Sequence, residues 1–341
     1  MTDHDRPASS SPGGFDDTGS PGDLEEAGIR RTPAAQPRDV LRAIGDGSRG
    51  LPYEDLAALS AADDQTISQL IPLWGKLAPE RRRELLAALQ RLSEEDATLD
   101  FNRVHLTALH DPDPATRILA IRGLWEHEGE EVMRLLADLV REDPEGTVRA
   151  EAASGLGQFA VSMEFGLLSD DAAEYLSEVL RDVIEDATQE DEVRGRALES
   201  LGASSEEWVA ELIADQYETG TPRMRLASIR AMGRNASDDW LPVLVYNFDD
   251  DDAETRAAAA TAAGELLLES AVEPLTMLVD DPDGEVQVAA IEALGEIAGE
   301  AAEAALQQLL QREDHVAQAA RRALAEARMM AVDLDEEAET G

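Results

Sequence analysis

Residues 281–297 read DPDGEVQVAAIEALGEI, residues 143–159 read DPEGTVRAEAASGLGQF, and residues 111–127 read DPDPATRILAIRGLWEH. The shared pattern is D-P-[DE]-x-x-[VT]-R-x-x-A-x-x-x-L, with Gln287 replacing Arg in the first stretch. Alignment on that anchor gives Arg117, Arg149, Arg194, Arg225, Arg256, Gln287 and Ala317, separated by 32, 45, 31, 31, 31 and 30 residues. Three residues after the anchor come Ala120, Ala152, Ala197, Ser228, Ala259, Ala290 and Ala320. Seven after it come Leu124, Leu156, Leu201, Met232, Ala263, Leu294 and Leu324. A fainter copy lies upstream, with Arg82 as anchor and Leu89 in the leucine column. Self-similarity at this period marks a solenoid, in which each unit buries its apolar face only against its neighbours.

Each copy holds two helices. Offsets of −1, +3 and +7 place Val148, Ala152 and Leu156 on one helical face, and the small residue admits a neighbouring helix closely. Asp111, Asp143 and Asp281 each precede proline, which predicts Asp at the N-cap and Pro at the first helical position. Gly157, Gly202, Gly233 and Gly295 follow the leucine column, where the helix packs closely or begins to end. The partner helices are predicted in EEVMRLLADLVRE, WVAELIADQYE, DWLPVLVYNF and AVEPLTMLVDD. No stretch carries strand alternation. The fold class expected is all-α, an α-solenoid of seven or eight helix pairs.

The D-x-x-x-x-V-R opening of the second helix resembles HEAT repeats, and the period near 30 is similar to the short repeats of the phycobilisome-lyase type. The resemblance covers residues 79–328. It implies that the anchor helix lines the concave face and that anchor Asp and Arg form a structural ladder between repeats. Asp111, Arg117, Asp143, Arg149, Arg194, Arg225, Asp250 and Arg256 are its expected members, with the ladder fading toward the C-terminus at Gln287 and Ala317.

The chain of 341 residues carries a formal net charge of −44. Residues 1–37 hold seven acids and three arginines, and residues 331–341 hold five acids, so the remainder carries −35. Lys76 is the sole lysine and cysteine is absent. Self-repulsion of this size opposes compaction, but in about 1 M salt the Debye length falls to ~3 Å. The composition resembles that of cytoplasmic proteins from salt-accumulating haloarchaea, which implies solvent adaptation and a cytoplasmic setting. Nucleic-acid binding needs clustered cations and is not expected. Without cysteine there is neither disulfide nor zinc–thiolate chemistry. No apolar run reaches the ~20 residues of a membrane span.

The expected organisation is a disordered Ser/Pro/Gly-rich tail at 1–37, a helical cap at 38–78, the solenoid at 79–328, and a frayed acidic tail at 329–341. The 45-residue spacing inserts about 14 residues around 160–171, a stretch that places Met163 and Phe165 either in a protrusion or folded over the groove between repeats.

Arg223, Arg230 and Arg234 form one stripe on an anchor helix, suited to forked contacts with the carboxylates of an acidic protein partner. The competing reading pairs them with Glu199, Glu265 and Glu269. The column five after the anchor (Arg122, Ser154, Glu199, Arg230, Thr261, Glu292, Arg322) is variable and polar, as a recognition surface on a fixed frame would be. Trp125, Trp208 and Trp240 are read as core. One His-Glu pair, His127-Glu128, cannot build the di-iron site of deoxyhypusine hydroxylase, and no phosphate loop or nucleophile elbow is present. No catalytic, cofactor or metal residues are assigned. The function expected is a non-enzymatic interaction scaffold. The alternatives are a signalling adaptor joining a response-regulator pathway to its effector, and a phycobilin-lyase-like cofactor chaperone or lyase.

Overall fold

The computed structural model describes residues 35–312 and 314–340, with side chains described as far as 329. The expected tail therefore lies almost wholly outside the described residues. The helices in order are α1 Pro37–Gly45, α2 Asp64–Trp74, α3 Pro79–Glu95, α4 Asn102–Ala108, α5 Pro114–Arg122, α6 Glu130–Glu142, α7 Gly146–Gly155, α8 Gly157–Glu164 and α9 Asp170–Glu185. They continue with α10 Asp191–Leu201, α11 Glu207–Thr219, α12 Pro222–Arg234, α13 Leu241–Tyr246, α14 Ala253–Glu265, α15 Val272–Leu278, α16 Gly284–Ile297, α17 Gly299–Leu309 and α18 His315–Thr340. The described residues contain no strand.

The repeated columns explain the stacking. Every +3 residue from Ala120 to Ala320 is fully buried, and every +7 residue from Leu124 to Leu294 likewise. These residues sit between successive anchor helices, so α3, α5, α7, α10, α12, α14, α16 and α18 abut in one continuous row. The glycine after the leucine column sets the spacing. A methyl group at Gly233 would lie 2.7 Å from the Cα of Ala262, and one at Gly264 would lie 2.7 Å from that of Ala293. The first helices of successive pairs touch one another far less. Tighter spacing on one side bends a stack toward that side, so the anchor row lines the inner face of the curve.

Ahead of α3 lie α1, a 3-10 turn at Tyr53–Leu59 and α2, and α2 packs on α1 and α4. Arg82 on α3 ties this end to the next repeat by donating to Asp111. At the other end the backbone of α18 stays helical through Thr340 where a frayed tail was expected.

The helix starts are also displaced. Asp113, not Asp111, caps α5, its carboxylate accepting from the Thr116 N–H at 3.0 Å. Asp283 caps α16 in place of Asp281. α7 begins behind Glu145 with no side-chain cap. The Asp of each D-P pair instead closes the preceding turn, accepting from the N–H two residues on: Asp113 at 2.8 Å, Glu145 at 2.9 Å and Asp283 at 2.8 Å. The same carboxylate accepts from the arginine of the preceding repeat.

The 160–171 insertion lengthens helices more than it makes a loop. α8 continues from α7 with only Leu156 between them, burying Phe159 and Ala160, and α9 runs for 16 residues. Protrusion is confined to the turn at Gly166 (φ +66°), where Phe165 and Leu167 are each 74% exposed.

Candidate partner-binding face

The framework of the inner face is the arginine ladder. Arg117 holds both carboxylate oxygens of Asp143 through Nε and Nη2, each at 2.8 Å, and the Asp111 carbonyl through Nη1 at 2.7 Å. Arg256 repeats this with Asp281, at 2.8 Å for both bonds, and with the Asp250 carbonyl at 2.8 Å. Each such arginine therefore joins its own turn to the next. Asp111 also accepts from the indole N–H of Trp74 at 2.7 Å.

The ladder also has a gap in its middle, where none was expected. The acidic position is occupied by Thr188 and Thr219 in two consecutive repeats. Arg149 turns to Gln189 and Glu190, at 3.1 and 2.6 Å. Arg194 binds the Ile184 carbonyl at 2.8 Å and the side-chain oxygen of Gln216 at 3.3 Å. Arg225 lies over the Tyr217 ring and donates to its carbonyl at 3.3 Å. Asp250 keeps its turn role, accepting from the Asp252 N–H at 2.9 Å, without an arginine from the preceding repeat. Gln287 keeps the bond to the Asp281 carbonyl at 2.7 Å and meets the His315 ring at the start of α18 at 2.8 Å, so an amide takes the place of the arginine.

The arginine stripe on α12 is engaged within the chain. Arg223 pairs with Glu192 at 2.8 Å, and Arg230 with Glu199 at 3.4 Å and Glu254 at 3.0 Å. Arg234 donates to the Glu199 carbonyl at 3.1 Å. Glu199 is 5% exposed, and its buried carboxylate is shared between Arg230 and Arg196 of its own helix, the latter at 3.3 Å. Arg122 is held by both oxygens of Glu151, at 2.9 and 2.8 Å. Of the two apolar candidates, Met163 is half-buried with its sulfur accepting from Ser177 at 3.3 Å, whereas Phe165 projects. Burial raises the carboxyl pKa of Glu265, with like charge from Glu199 adding to it and Arg234 opposing. Burial raises Glu296 too, beside Glu265 and Glu292.

The residue missed from sequence is Trp125. Trp208 lies under the Arg181 guanidinium, 5.2 Å from it, and the Trp240 indole donates to Asn235 at 2.8 Å, but Trp125 is 59% exposed. A signal was present. Trp125 stands eight after the anchor, where Gly157, Gly202, Gly233, Gly264 and Gly295 stand in other repeats. A column that admits only a hydrogen beside the next helix cannot seat an indole, so α5 ends early at Arg122 and the ring turns outward.

Among the described residues no group of three or more His, Cys, Asp or Glu is placed to hold a metal ion, and no helix is long and apolar enough to cross a membrane.

Stacked helix pairs joined through buried small-residue columns and an Asp–Arg ladder define an α-solenoid. The chain belongs to the HEAT-repeat family: the family model described as HEAT repeats matches residues 103–190, 178–262 and 241–325. Among solved structures it is similar to the CpcE–CpcF complex of phycocyanin lyase from Nostoc (17% identity, 90% of this chain and 99% of that one, TM-score 0.43). It is also similar to YibA of Escherichia coli (16%, 81% and 95%, TM-score 0.43) and to human deoxyhypusine hydroxylase (18%, 86% and 96%, TM-score 0.33). No curated protein matches in sequence.

Proposed function

We propose that this protein is a non-enzymatic interaction scaffold in a high-salt cytoplasm, presenting the inner face of its solenoid to a protein partner. The observation that carries this reading is the contrast between adjacent columns. Positions three and seven after the anchor are buried in every repeat, the first always Ala or Ser and the second Leu or Met except at Ala263. Position five, on the same helices, runs through Arg122, Ser154, Glu199, Arg230, Thr261, Glu292 and Arg322 and, Glu199 excepted, reaches solvent. A rigid frame with a freely varied outer column suits recognition of another surface. Because the arginines already have acceptors in the chain, the frame does not hold them open for an acidic partner.

The test is affinity purification from the host in multimolar KCl, with a variant that crowds the outer column without touching its framework. Ser154 and Thr261 are exposed, so Ser154→Arg with Thr261→Arg leaves the ladder intact. A stoichiometric partner lost by this variant is expected. A partner retained by it moves the contact off the inner face, and the absence of any partner overturns the reading.

A further inference from the structure

The inner face carries one apolar stretch that none of the described residues covers. Trp125 is 59% exposed beyond the end of α5, and Val161 is 45% exposed on α8. Two open hollows of about 480 and 470 Å³ share Ser154 and Gln158 and so form one trough across the ends of α3, α5, α7, α10 and α12. Ile121 and Gly155 line its floor beside Trp125. Contiguous exposed apolar surface rimmed by polar residues marks interaction sites and binding grooves, and tryptophan is among the residues most enriched where binding energy concentrates.

The charge around the trough indicates its occupant. Two guanidinium groups border it, and both are spoken for: Arg122 by Glu151, Arg234 by the Glu199 carbonyl and the neighbouring Glu265. Two carboxylates at the Trp125 end are not so neutralised. Glu94 on α3 meets only the side-chain amide of Gln90 at 3.3 Å, and Glu126, next to Trp125 in the chain, lines a separate smaller hollow that shares Trp125 and Gln90 with the trough. The rim is therefore anionic around an aromatic floor, complementary to an apolar side chain with cations on either side.

Resting on the scaffold reading above, we propose that the trough binds an extended segment of a partner protein in which a bulky apolar side chain is flanked by Arg or Lys. The apolar group packs on Trp125 and Ile121, and the cations meet Glu94 and Glu126. The partner's contact segment is basic, opposite in sign to that expected from the arginines.

The probe is a random 12-residue peptide library displayed on phage, selected on the full chain in about 1 M KCl. At that salt the Debye length is ~3 Å, which suppresses general attraction of cations to an acidic protein. Selected sequences are expected to pair an aromatic or aliphatic residue with Arg or Lys. A synthetic peptide of the consensus is expected to bind Trp125→Ala about 10-fold more weakly or worse. Glu94→Gln with Glu126→Gln is expected to cost roughly 3-fold, and Arg223→Glu nothing. Val161→Glu is a second probe of the same floor, and the thermal midpoint of each variant shows that it is folded. An acidic or uncharged consensus, no enrichment, or affinity indifferent to Trp125 and Val161 overturns the proposal. A host partner retained by Trp125→Ala leaves the scaffold standing and removes the trough. A chain that binds the peptide but captures no partner removes the scaffold and keeps the trough.

Discussion

His105 is 1% exposed, and its ring fills the space a side chain at Gly123 would take, with ring atoms 2.1 to 2.4 Å from where that Cβ would lie. Its Nδ1 has no hydrogen-bond partner. Burial lowers its pKa from 6.5 to about 4, against a smaller opposing effect of Asp100. Between those two values the unfolded chain takes up a proton that the folded chain refuses. Stability is therefore lost as pH falls through that window, by about 3 kcal/mol in all. His105→Leu removes both the proton site and the orphaned nitrogen. Thermal unfolding at pH 7 and pH 5 should show the wild type losing more than the variant, and parallel losses would show that the acid sensitivity comes from elsewhere. In the sequence His105 stands in no motif. Its burial became visible once α4 and the end of α5 were seen together, because Gly123 is unremarkable until something occupies its missing side chain.

The ladder acts at the level of the helix pair, and its gap makes a sharp contrast testable. Arg117 and Asp143 are both buried and bidentate, so Arg117→Ala strands a carboxylate and is expected to cost about 3–5 kcal/mol. Arg225 is exposed with one long bond to a carbonyl, and Arg225→Ala is expected to stay within about 0.5 kcal/mol. Chemical denaturation of the two variants settles this, and equal losses would mean that the anchor column acts through helix packing alone. The repeat period made the helix pairs and the buried columns readable in the chain itself, since small residues recurring every 31 positions serve the same close contact in each stacked unit. The caps were misplaced by two residues because both Asp residues of D-P-D precede the helix, and only the turn's hydrogen bonds tell them apart. The site was less readable. Arg223 and Trp125 differ in availability because of acids on a neighbouring repeat and a glycine column shared by five others, and both are relations between repeats.

For the whole molecule, a net charge of −44 spread along a stack of thin layers has no large interior over which to average. Each repeat contacts only its neighbours, so repulsion between adjacent faces acts directly on nearest-neighbour stability. The thermal midpoint should climb steeply as KCl rises from about 0.1 M toward multimolar concentration, because exposed charges are screened within a few ångströms. A flat response would mean that the acidity is not an adaptation to salt.

The missing rungs at Thr188 and Thr219 bear on mechanics. Spans with complete rungs are tied from turn to turn, and the stretch between α9 and α13 lacks that tie. The trough runs from α3, in the first tied span, into this stretch at α10 and α12. A segment lying in it would act as a splint, bracing a part of the stack that no Asp–Arg rung braces. Occupancy at Trp125 would then be felt at the far end of the stack as a change in reach, with no alteration of the distant repeats themselves.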